Sequence, residues 1–250
     1  MDRAVDALAT DRVELLNICS ELDAESWGSE SGCPGWSVKD VVAHMGALFW
    51  AAVDPSVLPD TTDLGTEQAQ EMYVRSRREL TGPEVLDDYA TVSEKALALL
   101  DQIAGADFEM ELGDLGTYPA RLVPKAFCFD HYTHIRLDLF APRGPLLGQA
   151  PTSDELRVVP TLDWIAAAVS QQNRALLESS PSIAANVVIT GTGARTIQIG
   201  NPSGPEFATV RSDAETCVRW ITQRTPWAEL EVEMEGGLVA LDVLRRLKVF

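Results

Sequence analysis

The sequence predicts a helical domain followed by a smaller α+β domain, and three observations carry that prediction. Four stretches before residue 142 repeat apolar side chains at three- and four-residue steps, with a long crossover, which is the arithmetic of a four-helix bundle. A cluster of prolines and glycines from Ala141 through Pro151 then interrupts all periodicity and reads as a linker. Beyond it, short β-branched runs mix with helical ones, the pattern of an α+β domain. The expected domains are 1–142 and 143–250; 250 residues, 46% of them apolar, suffice for two modest cores.

Val5, Leu8, Leu15, Leu16, Cys19 and Leu22 mark the first amphipathic helix, which should end near Trp27-Gly28. Ser37 with Asp40 three residues on forms a capping-box start, and Val38, Val41, Val42, Met45, Leu48, Phe49 and Ala52 continue as one apolar stripe. Pro55, Pro59 and Gly65 break the chain into a loop, a helix is expected over about 67–79, and Thr81-Gly82-Pro83 opens a longer one facing Val85, Leu86, Tyr89, Leu97, Leu100 and Ile103 inward. A turn-rich piece with Gly105, Gly113, Gly116 and Pro119 precedes a helix that runs until Pro142 stops it. In the second half a helix is expected from about Thr161 to Glu178. Strands are expected at 186–190, 196–199 and 207–210, a helix capped by Asp213, a half-buried strand over 230–234 and a closing helix over 238–247. Gly191-Thr192-Gly193 fits a hairpin turn better than a dinucleotide fingerprint, because Thr196 replaces the last glycine and a strand follows.

The net charge of −18 would repel nucleic-acid phosphates and anionic headgroups, so neither nucleic acid nor membrane is an expected partner. No apolar run reaches the roughly 20 residues that cross a bilayer, and the charged start is unlike a secretory leader, so a cytoplasmic location is expected. Cys19, Cys33, Cys128 and Cys217 have no paired short spacing and read as small buried apolar residues, with Cys128 near the stretch of most chemical interest. No phosphate loop and no Gly-x-Ser-x-Gly elbow occurs.

That stretch is Phe127 to Asp138. Asp130 and His134 lie four residues apart, so on a helix they stack one turn from each other, about 5–6 Å apart at Cβ, close enough to share a cation. His44, at the edge of an inward-facing stripe on another helix, could supply a third ligand, leaving an open position as in catalytic zinc sites. His131 is as close to His134 and gives a competing set of His44, His131 and His134. The same residues also fit an ordinary helical side-chain pair and satisfied core histidines. Arg75, Arg77 and Arg78 read as a solvated helix face. Tyr132, Tyr118 and Trp36 read as packing before anything else.

The stretch Cys33-Pro34-Gly35-Trp36-Ser37-Val38-Lys39-Asp40-Val41-Val42-Ala43-His44 resembles the N-terminal signature of the mycothiol-dependent maleylpyruvate isomerase family, whose bundle belongs to the DinB-like thiol-transferase superfamily. The resemblance implies a DinB-like metal-binding four-helix bundle with a sterol-carrier-protein-like C-terminal domain, and a metal held by His44, Asp130 and His134. Asp130 stands where the family usually has Glu, and Asp138 lies one residue from the position of the family's usual aspartate. Gln223-Arg224-Thr225-Pro226 sits where the family carries a Gly-Arg step, and Gly236-Gly237-Leu238 where it carries a Gly-Asp turn.

Two imidazoles and a carboxylate favour zinc among divalent cations, and a cation so held can bind a thiol sulfur and favour its thiolate. The expected cosubstrate is mycothiol or a similar small thiol, and the expected reaction is isomerisation or S-transfer on a small electrophile. Arg224, at a helix end, is the candidate catalytic and cofactor-binding residue as a carboxylate anchor in the cleft between domains; an exposed helix-end cation explains it equally well. The alternative function is a metal- or ligand-binding protein of the same descent without turnover.

Overall fold

The computed structural model describes residues 2–250, which fall into two compact units, one extending to Thr152 and one from Ser153 to Phe250. In the first, α1 (Arg3–Ser20) is capped by Asp2, and the short α2 (Ala24–Gly28) follows under Asp23. Helix α3 (Val38–Val53) begins at the Ser37/Asp40 capping box that the sequence announces, α4 spans Thr66–Arg75, and α5 (Gly82–Ala104) opens on a second box made by Thr81 and Glu84. The turn-rich piece contains a two-strand ladder, β1 (Glu109–Glu111) against β2 (Thr117–Pro119). Helix α6 (Val123–Thr133) then passes without interruption into a π-helical segment, His134–Leu139.

Helices α1, α3, α5 and α6 form the bundle: α3 packs on α5, α1 on α5 and α6, and α5 on α6, while α4 lies on α3. Leu8, Leu15, Met45, Phe49, Tyr89, Leu100 and Tyr132 are buried in its core. The stretch after Pro142, read from sequence as linker, is built into this unit. The Gly144 N–H donates to the Phe140 carbonyl at 2.8 Å and the Leu146 N–H to Leu139 at 3.0 Å. Arg136, itself buried, pairs with buried Asp11 at 2.9 Å and donates to the Thr152 carbonyl at 3.1 Å. Backbone hydrogen bonding and a buried ion pair hold this piece, neither of which apolar periodicity reveals.

The second unit holds α7 (Glu155–Gln172), α8 (Arg174–Glu178), β3 (Ile183–Thr190), β4 (Arg195–Gly200), β5 (Glu206–Asp213), α9 (Ala214–Ile221), β6 (Glu233–Gly236) and α10 (Leu238–Arg246). Its sheet has the order β4-β3-β5-β6, with β3 and β5 parallel and the other pairs antiparallel. Gly191 and Gly193 both take positive φ in the turn between β3 and β4, as a hairpin there requires. Trp164, Ile165, Val187, Val210, Trp220 and Leu244 are buried in this unit. The expected half-buried strand over 230–234 differs: pairing runs from 233 to 236 on the sheet edge, and every residue of β6 is exposed. No helix among the described residues is long and apolar enough to cross a membrane.

Candidate metal centre

Three of the sequence-derived site residues converge. His44 projects from the middle of α3, where the apolar stripe turns it inward, and is buried. Asp130 and His134 come from α6 and the start of the π segment. His44 Nε2 lies 3.1 Å from Asp130 Oδ1, and His134 Nε2 lies 3.4 Å from the same oxygen. Around a tetrahedral ion with ligand distances of about 2.0–2.1 Å, neighbouring nitrogen and oxygen donors stand about 3.3 Å apart. The two measured separations straddle that value. The second carboxylate oxygen, Oδ2 of Asp130, and Nδ1 of His44 are buried without a hydrogen-bond partner, so the donor set is not saturated by the protein. The residues present therefore fit a divalent cation.

His131, the competing ligand, is occupied elsewhere. It is fully buried, with Nδ1 3.1 Å from the Phe127 carbonyl and Nε2 3.1 Å from the Tyr89 hydroxyl, and its ring packs on Phe49. One step along the helix from Asp130 turns the side chain by about 100°, which points His131 at Tyr89 of α5 rather than at His44.

Electrostatics tie the triad together. Burial alone would raise the Asp130 carboxyl, but the charges of His44 and His134 and their hydrogen bonds hold it well below the ordinary carboxylate range. Burial would likewise lower His134; Asp130, Cys33 and the hydrogen bonds from Asp130 and Asp138 outweigh it and push His134 well above the usual histidine value. For His131 burial prevails, and its value falls.

Sequence reasoning missed the layer behind these ligands. Asp138, fully buried, has Oδ2 2.9 Å from His134 Nδ1 and Oδ1 3.5 Å from Arg143 Nε. A carboxylate accepting the Nδ1 proton fixes the tautomer that leaves Nε2 free to coordinate, as is usual for metal-bound histidines. The i, i+4 spacing of His134 and Asp138 was the available signal. Cys33 rather than Cys128 is the cysteine of the site: its Sγ lies 3.6 Å from His134 Nδ1, whereas the Cys128 thiol donates to the Ala4 carbonyl at 3.0 Å. The Cys33 loop can approach because Gly32 precedes it. A Cβ there would come within 2.9 Å of the Asp138 backbone, and the Gly32 N–H donates to the Asp138 carbonyl at 2.7 Å.

Trp36, half-buried, lies over His44 with ring centroids 5.1 Å apart and donates from Nε1 to Glu71 at 2.8 Å. Arg75 and Arg78 converge on Glu71 at 2.7 and 3.2 Å, but Arg77 is not part of a solvated face: it is buried and pairs with Asp88 at 3.3 Å. Tyr118 and Tyr132 are buried packing. Arg224 belongs to the second unit, where it follows α9 half-buried, its N–H donating to the Arg219 carbonyl at 2.9 Å.

Two imidazoles and a carboxylate brought to one point by facing helices define a class, helical-bundle proteins with a candidate metal site in the core. Within that class, the profile of the mycothiol maleylpyruvate isomerase N-terminal domain matches residues 8–134, and the chain belongs to this family. Two solved structures are similar in fold, a mycothiol-dependent maleylpyruvate isomerase (TM-score 0.60) and a histidine-to-alanine mutant of a mycothiol-dependent maleylpyruvate isomerase (TM-score 0.59). Each is 13% identical, over 94% of this chain and 93% of the other. No curated protein matches.

Proposed function

We propose that this chain is a metal-dependent enzyme that uses a small thiol, mycothiol or a close analogue, for isomerisation or S-transfer on a small electrophilic substrate. The convergence of His44 Nε2, Asp130 Oδ1 and His134 Nε2 is the observation that carries the reading. Zinc suits imidazole and carboxylate donors. Bound there, a divalent cation supplies Lewis acidity that favours the thiolate over the thiol.

The chain's own residues do the rest. Asp138 accepts the His134 Nδ1 proton and holds the ring with Nε2 toward Asp130. Trp36 covers the His44 ring and sheds water from it. Asp130 stays partly exposed, which leaves its side of the cluster open to an incoming sulfur. A cosubstrate thiol held there would be the nucleophile, so the reaction needs no cysteine of the chain's own. Arg224 is the proposed anchor for a substrate carboxylate, since a guanidinium binds one bidentately.

The test is metal analysis followed by thiol titration of the cobalt-substituted protein. Mycothiol is expected to change the visible ligand-field spectrum of wild type, and His44→Ala is expected to lose the metal. Metal that binds while thiol leaves the spectrum unchanged would reduce the chain to a metal-binding protein without turnover. Arg224→Ala is expected to raise KM for a carboxylate substrate at unchanged metal content.

A further inference from the structure

His134 presents two nitrogens to two different clusters. On the Nε2 side stand His44 and Asp130; on the Nδ1 side stand Cys33 and Asp138, and the donor atoms of each group lie within 4.8 Å of one another. We propose that Cys33, His134 Nδ1 and Asp138 form a second site, selective for thiophilic cations, that competes with the first for the single imidazole. The proposal rests on the reading above only in sharing His134.

Geometry supports it first. A thiolate about 2.3 Å and an imidazole nitrogen about 2.0 Å from a tetrahedral ion stand about 3.5 Å apart, close to the 3.6 Å found between Cys33 Sγ and His134 Nδ1. Asp138 Oδ2 is 2.9 Å from Nδ1, a hydrogen-bond distance that opens by a few tenths of an ångström when a cation replaces the proton. Asp138 is fully buried, so its carboxylate is fixed toward the cluster.

Charge and access agree. The Nε2 site offers one carboxylate to a divalent ion. The Nδ1 site offers a thiolate and a carboxylate, with Arg143 3.5 Å from Asp138 offsetting one of them, so both reach the same formal charge when filled. An open depression of about 370 Å³ lined by Glu30, Ser31, Gly32, Pro34 and Arg143 lies over the loop that carries Cys33, giving an ion a route from solvent.

The two sites exclude one another by proton count. A neutral imidazole binding a metal through one nitrogen keeps its proton on the other. Filling the Nδ1 site leaves the ring proton on Nε2, which faces Asp130 Oδ1 at 3.4 Å, and releases the Nδ1 proton and the Cys33 thiol proton to solvent. Thiophilic ions such as Cd²⁺ would take the Cys33 side and withdraw His134 from the catalytic cluster, because soft thiolate ligands select soft metals. Excess thiophilic metal would then act as an inhibitor.

The experiment adds Cd²⁺, then separately Co²⁺, to the full-length metal-free protein and follows the sulfur-to-metal charge-transfer absorption and the visible cobalt bands. Cd²⁺ is expected to produce the sulfur band in wild type and in His44→Ala, and none in Cys33→Ser. Absence of the band from both wild type and His44→Ala, or its persistence in Cys33→Ser, overturns the proposal. The first site is read separately: cobalt bands that vanish in His44→Ala alongside no cadmium–sulfur band in either protein leave that site standing and remove only this one. Cobalt bands that survive His44→Ala alongside a cadmium–sulfur band do the reverse.

Discussion

Gln223 is the one described non-glycine residue with a positive φ, at 57°. An L-residue there costs about 1–2 kcal/mol. Its side chain offsets this by donating from Nε2 to the Leu247 carbonyl at 2.7 Å and the Arg245 carbonyl at 3.1 Å, tying the ends of α9 and α10 together. Gln223→Gly, which trades strain for lost hydrogen bonds, is expected to leave the unfolding free energy within about 1 kcal/mol, whereas Gln223→Ala keeps the strain and should lose roughly 1–3 kcal/mol in chemical denaturation. The thiols divide as sharply. Burial pushes Cys19 and Cys217 up to about 12 and Cys128 well above its ordinary value, while Cys33 is partly exposed. A thiol-reactive probe added to the native metal-free protein near neutral pH should therefore modify Cys33 alone, and peptide mapping checks it. At the candidate metal cluster, Asp138→Asn is expected to weaken metal binding roughly tenfold or more by loosening the His134 ring. The raised His134 value sets the sign with pH. In the metal-free protein its charged form contributes stability that is full below the ordinary value of 6.5 and lost as pH climbs through the raised one. Metal must displace that proton, so metal affinity measured by competition with a chelator should fall about tenfold per pH unit on acidification below it. Helix spacing brought out Asp130 and His134 as a pair with His44 as a third candidate and left His131 open against Asp130; Cys33 had no such signal, because loop proximity has no periodicity.

At the scale of elements, the capping boxes at Ser37/Asp40 and Thr81/Glu84 show why α3 and α5 start where the sequence says they do: both partners of each box are local, and local chemistry is readable. A local start is still passed over where no apolar period runs up to it. α7 begins at Glu155, well before the expected Thr161, because Asp154 caps it and Arg157 returns to Asp154 in an ion pair. The short α2 was missed because five residues hold too little periodicity; it exists to seat Trp27, buried against the first turn of α5. A methyl group on Gly82 would fall inside the Trp27 ring, so Gly82→Ala should cost about 1–3 kcal/mol by overpacking, read as a lowered denaturant midpoint at an unchanged slope.

Across the whole molecule, the order of a helical bundle followed by an α+β unit was legible because helical and strand periods differ in composition as well as spacing. The junction was placed at 142 by its prolines and glycines, but the first unit continues to Thr152 through the Arg136–Asp11 pair, a contact spanning 125 residues of sequence. With a net charge of −18 the chain repels itself, and raising salt from near zero to about 0.15 M, where screening acts beyond about 8 Å, should raise the thermal midpoint. The π-helical segment follows α6 without a break. Its wider hydrogen-bond ring accommodates one residue more than an α turn, and Asp138 within it reaches His134. A turn of this kind can take up a one-residue change in spacing by rewinding locally, so the carboxylate behind His134 need not stand at one fixed interval from it.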